Sequence, residues 1–319
     1  MPLNRLWNYL LSPERLSKTL EPQVTTFASW WVKYQELSRD WNPFERAVIG
    51  GSLSDRIAFA FAGGYQAALR HMVQSLGNDQ VASMAITEEG GGHPRAICAT
   101  LTPVDKGGKG GYLLSGHKKW ITLASEATTL LVAASTGRTP DGLNQIRLVH
   151  IPSGATGVSI NPMKNVPFVP EISHGEVYFE GVKVPSDAIL PGDGYIQYIR
   201  PFRTIEDIFL STGFLGFFFR IATDYQWPQD ILEELTCLIA SLHAIAAEDS
   251  NASETHIALS GFLTQERGFV QKIDPLWEKV PGEVRERWNR DRSLLQVAEK
   301  LRNVRLNTAW KKIHEGHVG

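Results

Sequence analysis

The residues with the clearest chemical potential lie between Met84 and Thr122. This stretch opens on an apolar run, Met84-Ala85-Ile86, and passes through Thr87-Glu88-Glu89 into three glycines, Gly90–Gly92. It then alternates as a strand does, turns through Gly107–Gly111, and ends in Gly116-His117-Lys118-Lys119-Trp120-Ile121-Thr122. Glycine supplies positive φ and lets backbone approach a ligand closely. Threonine adds a hydrogen-bonding hydroxyl and tryptophan a flat face. Together they form a candidate wall for a planar cofactor.

Several other chemistries lack their residues. Gly108-Lys109 is followed by Gly110, so no phosphate-cradling G-x-x-x-x-G-K-[ST] occurs, and no G-x-G-x-x-G opens a helix. No G-x-S-x-G nucleophile turn is present. The nine histidines are scattered, with neither H-E-x-x-H nor a cysteine pair at metal spacing, so no metal site is expected. His71, His150 and His243 read as ordinary helix or strand residues.

The chain has 319 residues, enough for two or three structural units. It is 43% hydrophobic and 21% charged, an ordinary globular composition. A formal net charge of −2 gives no pull towards nucleic acid or an anionic membrane. Two cysteines, Cys98 and Cys237, make no disulfide framework and point to a reducing compartment, hence the cytoplasm. The patch Leu6–Leu11 is broken by Asn8 and flanked by Asn4 and Pro13, and does not read as a signal peptide. The most apolar run, Ile208–Ala222, is too short to span a bilayer and reads as a buried helix.

The elements that position the chemistry fall into three blocks. Residues 1–80 read as helical. Within them Ala58–Leu76 carries apolar residues at helical spacing and stops at Gly77-Asn78. Gly63-Gly64 inside it costs about 1 kcal/mol per glycine against alanine, a cost that close packing of another element would offset. Residues 81–192 change to short β-type runs: Val81–Ile86, Ala96–Thr102, Tyr112–Leu114, Trp120–Leu123, Thr129–Ser135, Gln145–Ile151, Val158–Ile160 and Glu176–Phe179. Turn clusters without helices separate them, which predicts an antiparallel barrel or sandwich closed by Val184-Pro185 and Pro191-Gly192. Residues 193–319 return to helix. Candidates are Thr204–Ala222, Ile231–Ala247, a helix from Ser253 as N-cap to about Ile273, and a last one from Pro281 carrying Val284, Trp288, Leu294, Val297, Leu301 and Val304. The fold class is α+β: an N-terminal helical domain (1–80), a β-barrel-like middle domain (81–192) and a C-terminal four-helix bundle (193–319).

This order, with Thr87-Glu88-Glu89-Gly90-Gly91-Gly92 and Trp120-Ile121-Thr122, resembles the acyl-CoA dehydrogenase family. Ala62-Gly-Gly-Tyr-Gln-Ala-Ala-Leu69 and Gly175-Glu-Val-Tyr-Phe-Glu-Gly-Val-Lys-Val-Pro185 extend the resemblance over nearly the whole chain. It implies FAD and an acyl thioester, acyl-CoA or carrier-bound, with α-proton abstraction by a carboxylate and hydride transfer to flavin N5. By resemblance Thr87 bonds the flavin ring, Trp120 packs on it, Thr122 sits near N5, and Glu88, Gly92 and His93 complete the cofactor turn. The family's base follows an Arg-Asp pair; counting eight residues from Asp291 gives Glu299. The resemblance also implies an electron-transfer partner and a homodimer or homotetramer built through the bundle.

The departures define the alternatives. Gly92-His93-Pro94 stands where the family has Gly-Ser-Asp. The loop between the first two bundle helices is shortened to Asp224–Pro228, and Pro275–Asn289 is charged and tryptophan-rich where the family has a glycine-rich motif. By the resemblance, the last two are the family's segments for the ADP half of FAD. An inactive homologue that binds a thioester or a partner protein, and a related flavin monooxygenase, are therefore the competing expectations.

Overall fold

The structure is a computed structural model that describes residues 3–16, 24–105, 110–164 and 166–316. Residues 107–109 of the glycine turn lie outside the described residues. The chain forms two compact units. One takes in the described parts of 1–71, 167–171 and 204–319; the other takes in 72–166 and 172–203. The helices at the two ends of the chain thus share one unit, where the sequence suggested two domains.

The helical unit contains α1 (Asn4–Leu10), α2 (Pro13–Leu16), α3 (Phe27–Ser38), α4 (Pro43–Ser52), α5 (Ile57–Met72), α6 (Arg200–Asp224), α7 (Gln229–Ala246), α8 (Ser253–Ile273), α9 (Gly282–Asp291) and α10 (Glu299–Gly316). Local chemistry sets the starts of several. Asn42 caps α4 in a capping box with Glu45, and Pro43 takes its first turn. The expected Ser253 cap is displaced by one residue: Ala252 is the N-cap of α8 and makes no side-chain cap bond.

Glycines explain why the end helices form one unit. A Cβ on Gly213 would lie 2.5 Å from the Ala60 carbonyl, and one on Gly64 would lie 2.9 Å from the Leu210 Cα. Gly51 and Gly216 face α6 and α4 backbone in the same way. The Gly63-Gly64 pair therefore buys helix-to-helix approach that a side chain would prevent. Among the described residues, no helix is long and apolar enough to cross a membrane.

The tryptophan-rich segment is core. Trp277 and Trp288 stack with centroids 4.7 Å apart and are 2% and 1% exposed. Phe217 and Phe218 of α6 pack against them, and Trp227 meets Trp277 edge-on. The last predicted helix is two helices, α9 and α10, joined by a 3₁₀ turn at Arg292–Gln296. Its later apolar positions face outward, with Val297, Leu301 and Val304 at 63%, 56% and 58% exposure.

The second unit is one seven-stranded sheet: β1 (Ala82–Ala85), β2 (Thr100–Pro103), β3 (Tyr112–Thr122), β4 (Thr129–Arg138), β5 (Asn144–Pro152), β6 (Val158–Pro162) and β7 (His174–Val184). The order is β1-β4-β2-β3-β7-β6, with β5 paired along the whole of β4, from Thr129 to Arg138. Pairing is antiparallel except for β1 and β2 with β4, which are parallel. The sequence had predicted antiparallel pairing throughout. Leu101, Leu114, Val132, Val149, Val177 and Phe179 are among the residues of its apolar core.

Candidate functional site

The turn after β1 is held by reciprocal backbone bonds between Glu88 and Gly91, at 3.2 and 2.9 Å. Gly91 has φ +96°, a conformation that suits glycine. Gly92 follows. A Cβ there would lie 3.4 Å from Thr87 Oγ1 and 3.3 Å from the Arg203 guanidinium. The missing side chain leaves room where a hydroxyl and a cation converge. The sequence reading had no signal for Arg203, which is distant from Thr87 along the chain.

Strand β3 brings Trp120 to the same turn. Lys118 pairs with Val177 and Ile121 with Gly175, so one extra residue is accommodated between them, a β-bulge. Trp120 has φ +58°, uncommon for a residue with a side chain, and its indole is 58% exposed. Among the described residues it makes no aromatic stacking contact. The Lys119 N–H donates to the Thr87 carbonyl at 2.7 Å, tying the bulge to the turn. The Lys119 ammonium pairs with Glu89 and lies 3.7 Å from Glu176, and these carboxylates hold its pKa above the usual lysine range. Beyond the bulge Thr122 is half-buried, and its carbonyl accepts the Ser83 hydroxyl at 2.7 Å.

Two of the residues expected at the cofactor, Glu88 and His93, have hydrogen-bond partners within the chain. Glu88 is 8% exposed. Its carboxylate accepts the Cys98 and Ala99 N–H groups at 2.8 and 3.0 Å and the Lys118 ammonium at 2.7 Å. Lys118 is fully buried, and desolvation lowers its pKa against the raising effect of Glu88. His93 is exposed, and its Nδ1 accepts the Arg95 N–H at 3.2 Å, capping the 3₁₀ turn Pro94–Ala96. Asn144 secures that turn by donating to the Pro94 and Ile97 carbonyls. Thr87, Gly92 and the Trp120 bulge are therefore brought together, while Glu88 and His93 build the turn itself.

Glu299 belongs to the helical unit. It is exposed, in the first turn of α10, where a carboxylate also complements the helix dipole. It lines a cavity shared with Glu266, Arg267, Arg292 and Arg302. The Arg290-Asp291 pair that marks it anchors residues 167–171. Arg290 donates to Glu171 at 2.8 and 2.9 Å, and Asp291 accepts the Val169 N–H at 2.8 Å. Those carboxylates raise the Arg290 pKa. Glu266 was not picked out from the sequence. It is 6% exposed, and burial pushes its carboxyl up to about 7. A helical wheel finds it, because it shares the buried stripe of Leu259, Phe262, Leu263, Phe269 and Ile273.

The geometry now has a family to compare with. Residues 83–182 match the model of the acyl-CoA dehydrogenase middle domain. The chain is similar to Probable acyl-CoA dehydrogenase YngJ of Bacillus subtilis, 34% identical over 90 residues, which are 28% of this chain and 24% of that protein. It is also similar to the short-chain specific mitochondrial acyl-CoA dehydrogenase of Bos taurus, 29% identical over 119 residues, 37% of this chain and 28% of that protein. These alignments span about a quarter of the curated relatives' length. The fold likeness is longer. It covers 98% of this chain and 98% of PigA, solved with FAD and proline, at TM-score 0.68 and 14% identity. With butyryl-CoA dehydrogenase from Megasphaera elsdenii it covers 96% and 90% at TM-score 0.62 and 16% identity. The fold is acyl-CoA dehydrogenase-like, and through residues 83–182 the chain is related to the acyl-CoA dehydrogenase family.

Proposed function

We propose that the protein is an FAD-dependent oxidoreductase of the acyl-CoA dehydrogenase type, acting on an acyl thioester. The observation that carries this is the Trp120 bulge: an exposed indole on a left-handed backbone, tied to the Thr87 turn by the Lys119 bond. A flat apolar face, the Thr87 hydroxyl and the Arg203 guanidinium beside Gly92 fit a planar ring with polar edges. When bound there, FAD supplies a two-electron acceptor. Trp120 would hold the ring by its flat face, Thr87 and Thr122 would offer it hydrogen bonds, and Arg203 would offset negative charge. Glu299 accepts the proton from the carbon next to the thioester carbonyl. The prolyl acyl carrier protein oxidase AnaB, a neighbour in fold, is the ground for including a carrier-bound thioester in this proposal. Assembly as a dimer or tetramer through the bundle belongs to the same proposal, supported by the outward Val297, Leu301 and Val304.

The test is the visible spectrum of the purified protein. An oxidised-flavin band that bleaches with an acyl thioester is expected. Trp120→Ala should weaken FAD binding by about ten- to a hundredfold, the scale of an aromatic stacking contact of 1–3 kcal/mol. Glu299→Gln should keep the band and abolish the bleaching. A specific observation favours a second reading, a homologue that binds the thioester without redox chemistry. Trp227, Trp277 and Trp288, in or beside the two segments that depart from the family, are spent on the core. Protein that stays colourless after reconstitution with FAD would select this second reading.

A further inference from the structure

Within the helical unit, α8 and the segment running from Arg292 into α10 line a cavity of about 170 Å³. A space of about 150 Å³ holds a benzene-sized molecule, so this one takes a group of about six heavy atoms. Glu299, the proposed base, lies on its wall, and Leu263, Val270 and Leu295 supply apolar surface. That combination suits a short acyl chain.

The rest of the wall is rich in cationic donors. Arg267, Arg292 and Arg302 reach it from α8, from the 3₁₀ turn before α10 and from α10 itself, and Gln271 and Gln296 add amide groups. Arg292 pairs with Asp274 at 2.8 Å. Arg302 meets Asp207 at 2.8 and 3.0 Å, but Arg305 uses the same carboxylate, so one acid serves two guanidiniums. Arg267 is exposed and donates to the Thr264 hydroxyl at 3.0 Å, and among the described residues it has no acidic partner. Glu266 presents no free oxygen to the cavity, because Oε2 accepts the Ser211 hydroxyl at 3.0 Å and Oε1 is buried. Glu299 is therefore the one carboxylate that the described wall presents against three guanidiniums.

A hydrocarbon chain needs none of these donors. A guanidinium without an acid opposite it is completed by a carboxylate, which accepts two parallel N–H bonds. The phosphate of a thioester's carrier arm does not serve here, because the chain between it and the thioester is longer than this cavity. We propose that the cavity holds the far end of the acyl group, and that Arg267, with Arg292 and Arg302 on the same wall, binds a carboxylate there. The substrate class is then the thioester of a dicarboxylic acid, with one carboxyl activated and the other free. This rests on the reading of Glu299 as the base.

Two measurements separate the subsite from that reading. Calorimetric titration of the full-length protein with n-valerate, with valeramide and n-pentylammonium as controls, needs neither flavin nor turnover. Saturable binding of valerate alone is expected, weakened about ten- to a hundredfold in Arg267→Gln, the scale of a hydrogen bond to a charged group. Arg267 is exposed on α8, so this variant should keep the fold. Val270→Phe fills the cavity without changing a charge and should remove binding as well. The second measurement is bleaching of the FAD-reconstituted protein by glutaryl- and valeryl-pantetheine, which differ only in the terminal carboxylate. The glutaryl thioester should act at a concentration about ten- to a hundredfold lower, the same interaction read from the ligand side. The proposal is overturned if valerate shows no saturable binding, if valeramide or n-pentylammonium binds as well as valerate, if both variants bind valerate unchanged, or if the two thioesters bleach the flavin equally. Colourless protein that binds valerate supports the carboxylate subsite and overturns the flavin reading alone.

Discussion

Glu88 in the sheet unit and Glu266 in the helical unit are 8% and 6% exposed, yet they are partnered in opposite ways. Glu88 receives two backbone N–H groups and an ammonium, so its charge is satisfied from inside. Glu266 receives one hydroxyl and keeps a bare oxygen. Burial alone therefore says little about what a carboxyl does. The number of donors around it separates a structural anchor from a group with unused binding capacity. Glu88 fixes the turn that carries Thr87, and Glu266 is left with capacity for a proton.

The largest expected effect tests the satisfied end of this comparison. Glu88→Gln removes the charge that compensates Lys118 and disturbs two backbone donors at once. Breaking a buried pair from one side costs about 3–5 kcal/mol, so the midpoint of urea unfolding should fall steeply. Lys118→Met should cost less, because the Cys98 and Ala99 N–H groups still hold the carboxylate. Equal losses in the two variants would mean that the ion pair, and not the backbone cradle, organises the turn.

The contrast was only half legible in the sequence. Alternation found the strands, and the spacing of glycine, threonine and tryptophan marked the Thr87–Trp120 surface. Strand β3, however, read as two fragments, Tyr112–Leu114 and Trp120–Leu123. Lys118 occupies an inward position that a charged residue normally avoids, and its partner Glu88 lies 30 residues away. The bulge at Trp120 then breaks the two-residue period. In the last helical region the same logic misled in the other direction. Val297, Leu301 and Val304 have core spacing but face outward, and the chain breaks into α9 and α10 before them. Arg203 and the bare oxygen of Glu266 depend on contacts between distant segments, which no local pattern encodes.

The second prediction concerns Glu266. Its carboxyl is raised from an ordinary 4.5 to about 7 in the folded protein. Between those values the folded state holds a proton that the unfolded state has released. Stability therefore falls as pH rises through this window and stays lower above it, by about 3 kcal/mol at roughly 1.4 kcal/mol per pH unit. Glu266→Gln removes the titrating group. The variant should match wild type near pH 4.5 and be more stable at pH 8, and urea unfolding across that range would show a flattened profile. A profile unchanged from wild type would place the titration elsewhere and cancel the contrast with Glu88.

The smallest effect isolates the one donor that Glu266 has. The Ser211 hydroxyl bond lowers the Glu266 pKa against the larger effect of burial. Ser211→Ala should therefore cost only about 1 kcal/mol of stability, the net worth of one hydrogen bond. It should also move the upper end of the pH window above about 7, because the carboxylate loses its only donor. The direction of that movement is the informative readout. An upward shift places Ser211 as a donor to a titrating acid. A window that stays in place means that another donor, such as water in the cavity, already serves Glu266, and its oxygen is then no longer bare.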